Sequence, residues 1–200
     1  QMCIRDRNNT TVPLLPAATN GFQAITTVDS CQTSAPTSLT CSGLGTVTIS
    51  FTNSAGTPIP VRNPVVHFSR FGGSATGTQN VYFAATYTLT TAGVTLGAPA
   101  AGAQNLSVAG NLIRPTTVST AVTGACSTTA GANTAACGSV PVSGITSQLA
   151  FNIGAERHST AATAPWNANG GGNADGVFFT VSFDEDFGLS LIHISEPTRL

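Results

Sequence analysis

The stretch D-G-V-F-F-T-V-S-F-D, residues 175–184, decides the fold class. In an extended chain Val177, Phe179, Val181 and Phe183 point to one side, and Phe178, Thr180 and Ser182 to the other. Such alternation is the mark of a strand with one face on a core and one toward water. The same period of two runs through most of the chain. Thr46–Thr52 alternates Val47, Ile49 and Phe51 with Thr and Ser; residues 64–71 read P-V-V-H-F-S-R-F. In Val81–Thr90 the residues Val81, Phe83, Ala85, Tyr87 and Leu89 share one parity, and Ile145, Leu149, Phe151 and Ile153 another common face. Leu106 with Val108, and Leu112 with Ile113, make shorter pieces. Thr, Val and Phe suit a pleated surface. Turn clusters bound the runs: N-S-A-G at 53–56, G-G at 72–73, G-A-Q-N at 102–105 and N-A-N-G-G-G-N-A-D at 167–175. No window carries a helical stripe. The expected fold is all-β, an antiparallel β-sandwich of either the jelly-roll (lectin-like) or the immunoglobulin-like kind.

Composition narrows the classes of function. The 200 residues are 41% hydrophobic and only 8% charged, with a formal net charge of −1. This balance gives no electrostatic footprint for nucleic acid or an anionic membrane. All seven basic residues are arginines, so lysine chemistry (a P-loop, a Schiff base, a Lys–Asn isopeptide bond) is excluded. No apolar run is long enough to span a bilayer as a helix. The solvent faces are built from Thr, Ser, Asn and Gly.

The two ends read as foreign. Residues 189–199, L-S-L-I-H-I-S-E-P-T-R, can be encoded by DNA whose first part has the reverse complement AGATGTGTATAAGAGACAG. In another frame that complement translates to Q-M-C-I-R-D, the first six residues of the chain. Both ends thus decode as opposite strands of one element that resembles a transposon-end sequencing adapter. Residues 1–7 and 189–200 are therefore expected to be adapter artefact. Residues 8–188 are expected to be a single extracellular β-sandwich domain, a fragment of a longer protein.

Outside those ends the cysteines fall into two near pairs, Cys31/Cys41 and Cys126/Cys137, each bracketing a polar, turn-rich run. The spacing fits two short-loop disulfides and an oxidising compartment better than the tight knuckles of a zinc site, although free thiols remain open at this stage.

Three groups of side chains are candidates for chemistry. Asp184-Glu185-Asp186 concentrates carboxylates at a strand end, with Asp184 and Asp186 on one face. Close carboxylates raise one another's pKa unless a cation compensates, which makes calcium the candidate ion; the ordinary alternative is a solvated strand end. The segment from Trp166 to Asp175 holds the only Trp, with Asn167, Asn169, Asn173 and Asp175. An exposed indole beside these polar groups could stack on a sugar; the alternative is a hairpin loop with Trp166 plugging the sandwich edge. His67 sits between Val66 and Phe68 and reads as a strand histidine with a hydrogen-bond partner. Arg62 and Arg70 share parity and read as partners for Glu156 or Asp175, or as an anion subsite. No G-x-S-x-G elbow and no framed carboxylate pair is present, so no catalytic residue is assigned and the chain is read as a non-enzyme needing no cofactor other than the candidate calcium.

Three stretches together carry a resemblance: F-T-N-S-A-G-T-P-I-P-V-R-N-P-V-V-H-F-S-R-F-G-G at 51–73, Y-T-L-T-T-A-G-V-T-L at 87–96, and D-G-V-F-F-T-V-S-F-D-E-D-F-G at 175–188. In this order they resemble a domain of the large, repetitive bacterial surface proteins of the CshA-type fibrillar adhesin kind. The resemblance spans roughly residues 40–188 and implies a non-enzymatic adhesive or spacer domain at the bacterial cell surface or cell wall. Its partners would be a host or neighbouring-cell surface protein or glycan, and adjacent domains of the same chain. Two other readings are carried beside it: a carbohydrate-binding module of a secreted hydrolase, and a viral or phage fibre domain.

Overall fold

The computed structural model describes residues 22–27, 31, 39–52, 55–71, 74–76, 81–116, 135–159 and 174–183. The regular elements among them are all strands: β1 (Phe22–Thr27), β2 (Thr40–Ser50), β3 (Val61–Arg62), β4 (Val65–Phe71), β5 (Ser74–Thr76), β6 (Val81–Leu89), β7 (Thr95–Leu96), β8 (Leu106–Ala109), β9 (Leu112–Pro115), β10 (Ala136–Ser143), β11 (Ile145–Thr146), β12 (Gln148–Ser159) and β13 (Ala174–Ser182). The strongest alternating run in the sequence is β13. It begins at Ala174, at the end of the Asn/Gly cluster.

Every pairing among the described strands is antiparallel. One sheet has the order β1-β13-β4-β10-β7; the other runs β2-β12-β6-β9-β8, with β5 also on β6; β3 and β11 form a small ribbon of their own. The pairings nest. β1 joins β13, β2 joins β12, β3 joins β11, β4 joins β10 and β6 joins β9. The chain is thus one long antiparallel ribbon doubled back near its middle. It is then rolled up, so that β13 also pairs with β4 and β12 with β6. A doubled and rolled ribbon is the jelly-roll form of the sandwich.

The two sheets close over the face that period-two reading assigns to the interior. Val66, Phe68, Val140, Val177 and Phe179 from the first sheet meet Tyr87, Leu89, Ile113, Leu149 and Phe151 from the second in one core. Aromatic rings join the layers: Tyr87 lies 4.9 Å from Phe179 and 5.3 Å from Phe71 between centroids, both edge-on. Each fully buried side chain of this size contributes about 1.5–3 kcal/mol before the entropy of ordering is charged against it.

Two places depart from strict alternation. Phe71 shares parity with His67 and Ser69, on the outer face, yet it is fully buried in the core. Arg70 adopts φ +58°, and the β4–β10 register slips between Ala136 opposite Phe71 and Gly138 opposite Phe68. The extra residue is a β-bulge, which turns Phe71 inward. The second departure corrects an expectation. Ile145 does not share the face of Leu149, Phe151 and Ile153; it is 47% exposed on β11. Gly144, at φ +125°, sets it off from β10, and a turn in which Gln148 N–H donates to Thr146 Oγ1 at 3.1 Å separates it from β12.

Candidate functional site

The disulfide expectation is met at its first pair. Cys31 and Cys41 are bridged, with Cα atoms 5.8 Å apart. Both are buried in a small cluster with Phe83 and Ala155, against which Leu44 packs. The bridge ties the segment before β2 to the end of the second sheet. Cys137, on β10, is also disulfide-bonded; Cys126, the partner the sequence suggests for it, lies outside the described residues.

His67 is a strand histidine with hydrogen-bond partners, as expected. Its ring is buried, with Nδ1 2.8 Å from Ser139 Oγ and Nε2 2.8 Å from Ser182 Oγ. Ser139 stands directly opposite it on β10, and Ser182 lies diagonally on β13, two positions beyond its direct partner Thr180. One imidazole thus laces three adjacent strands on the outer face of the first sheet. The sequence marks His67 as a strand histidine between Val66 and Phe68, but the cross-strand register that supplies its serines is not written in the local sequence.

The sequence places Asp175 at the end of the candidate ligand loop. The structure places it in the interior, 5% exposed, with Oδ2 accepting a hydrogen bond from Ala85 N–H at 2.8 Å. The reason lies in β6. Its ladder to β9 covers Tyr87 and Thr88, and its ladder to β5 begins at Phe83. Ala85 N–H faces the gap between the two, and the carboxylate fills it. Beside it, Tyr87 Oη and Thr26 Oγ1 are buried without a hydrogen bond of normal geometry. Burial pushes the Tyr87 phenol well above the usual tyrosine pKa; the neighbouring Thr26 hydroxyl eases this, and the Asp175 carboxylate adds to it.

The arginine expectation is corrected in one respect. Glu156 pairs with Arg114, whose Nη1 lies 3.1 Å from Oε1 and 3.2 Å from Oε2. Arg70 instead lies over the ring of Phe178, 5.5 Å from its centroid. The Arg114–Glu156 pair sits on the outer face of the second sheet, among neutral groups. Thr46, Thr48 and Ser50 on β2, Thr88 on β6 and Gln148 and Asn152 on β12 all stand exposed there, and Thr46 Oγ1 donates to Asn152 Oδ1 at 3.2 Å. This face is an open, nearly uncharged array of hydroxyl and amide groups, suited to hydrogen bonding with another surface.

Trp166, Asn167, Asn169, Asn173, Asp184 and Asp186 lie outside the described residues. Among the described residues, no cluster of three His, Cys, Asp or Glu side chains is arranged to hold a metal, and no helix is long and apolar enough to cross a membrane. No protein-family model, no curated protein and no solved structure matches the chain.

Proposed function

We propose that the chain is a non-enzymatic, extracellular adhesion or structural domain of a large bacterial surface protein. The carrying observation is the pairing of a disulfide-bonded, all-β sandwich with an exposed face of Thr, Ser, Asn and Gln in which Arg114 and Glu156 neutralise each other. Disulfides persist in oxidising surroundings. A neutral polar face that needs no helix or long loop to present it suits contact with a protein or glycan surface. The resemblance of residues 51–73, 87–96 and 175–188 to fibrillar adhesin domains points the same way. The test is binding of the purified, oxidised chain to immobilised cell-surface proteins and a glycan array, with hydrolysis of ester and glycoside substrates measured in parallel. The expected result is saturable binding without turnover. No binding to any surface would leave the spacer role alone, and turnover would overturn the proposal.

A carbohydrate-binding module is the second reading. The jelly roll is a frame that lectin domains use, which is a likeness of fold alone. Loss of glycan binding in Trp166→Ala with melting unchanged would favour it.

A further inference from the structure

We infer that the edge of β2 left without a partner among the described strands pairs with β2 of a second copy of the chain, antiparallel about Thr48, joining two sandwiches through a continuous sheet. The inference does not rest on the adhesion reading, since it follows from the edge itself. β2 ends its sheet and pairs only with β12 among the described strands. The hydrogen bond from Phe51 N–H to Ser147 O fixes the phase of that ladder. Backbone groups of Gly45, Val47 and Ile49 face β12, and those of Thr46, Thr48 and Ser50 face outward.

Proteins usually blunt such an edge with short strands, charges, proline or bulges. The opposite end of this sheet follows that rule, since β8 has four residues, and β7 at the end of the other sheet has two. β2 has eleven residues with one bulge near its start, where residues 42–44 lie opposite Gly154; the six from Gly45 to Ser50 keep an unbroken register with β12, and no charged residue lies anywhere between Asp29 and Arg62. No proline occurs within it either.

The edge is also complementary to itself. An antiparallel copy centred on Thr48 sets Thr48 against Thr48, Thr46 against Ser50 and Val47 against Ile49. The three outward residues of each copy then exchange about six main-chain hydrogen bonds. Val47 and Ile49 are only partly buried and pack on the margin of the core, so the second copy would extend that margin with matching apolar pairs. The hydroxyls would meet on the outer face, where Thr–Thr and Thr–Ser pairs are favourable. With a formal charge of −1 per chain, little long-range repulsion opposes the approach.

Sedimentation of the oxidised chain across a concentration series tests the inference. The expected result is a shift from 20.1 kDa to twice that mass as concentration rises. Thr48→Pro removes an outward N–H and leaves the β12 ladder intact, so it should weaken dimerisation at least tenfold with melting little changed. Thr48→Lys and Thr48→Glu place like charges across the two-fold axis; each alone should be monomeric, and an equimolar mixture should dimerise. A monomer at every concentration would overturn the inference, as would a dimer indifferent to all three substitutions. If Thr48→Pro unfolds the chain, the charge-swap mixture decides alone: recovery of the dimer supports the pairing, and none refutes it.

Discussion

Tyr87 shows how much one side chain records of its surroundings. Its ring joins the two aromatic layers, while its hydroxyl ends in the interior beside Thr26 and Asp175. Because its folded pKa stands above the unfolded value near 10, the protonated phenol is favoured by the fold. That contribution is fully present below about pH 10 and is lost as pH rises toward the folded pKa. We predict that Tyr87 does not ionise in an alkaline absorbance titration until the chain unfolds, and that Tyr87→Phe flattens the fall in stability above about pH 10. Asp175 makes the opposite case, a charged group with a structural task. Asp175→Ala would strand the buried Ala85 N–H, and we expect a loss of about 2–3 kcal/mol in chemical denaturation, with Asp175→Asn costing less because its amide oxygen still accepts. The sequence showed Asp175 at the head of a strand, but nothing nearby told that β6 would have a gap there. Arg70 was opaque for a similar reason. Its left-handed backbone is a property of the β4–β10 register, and arginine gives no local signal for φ +58°.

Elements were more legible than partners. The runs at 46–52, 64–71, 81–90 and 175–184 overlap β2, β4, β6 and β13, because period two survives wherever one face of a strand is buried. Alternation failed at Ile145 and Phe71, where a turn and a bulge reset the parity, and a bulge is a two-strand event that one strand's residues do not disclose. Disulfide spacing named the bridge that anchors β2. Reduction, or replacement of Cys31 and Cys41 together by serine, should lower stability by about 2–4 kcal/mol. At this size that corresponds to a fall of roughly 5–15 °C in melting temperature by calorimetry. An unchanged melt would contradict a stabilising bridge. Gly154 marks a second tight point of β12. A Cβ there would stand 2.8 Å from both Cys41 O and Thr86 Oγ1, so Gly154→Ala should destabilise by about 1–3 kcal/mol in the same assay.

At the scale of the molecule, the controlling fact is the nesting of distant segments. β1 meets β13 and β2 meets β12 across nearly the full described chain, so the ordering of long loops precedes most of the stabilising contacts. Refolding with disulfides intact should accordingly fall in the slow range, milliseconds to seconds, by stopped-flow fluorescence. The order of the strands was the part of the fold the sequence left open. Periodicity gives faces, and several topologies share the same faces. The polar outer face of the second sheet was foreshadowed by composition, whereas its Arg114–Glu156 pair depends on β9 and β12 flanking β6. The most direct test is a backbone nuclear Overhauser experiment on labelled, oxidised protein, read at β4. The rolled ribbon predicts cross-strand contacts from Phe68 to Phe179 on one side and to Gly138 on the other, with none to the backbone of β6. Contacts between β4 and β6, the next long strand in sequence, would mean a simple meander and would contradict the fold described.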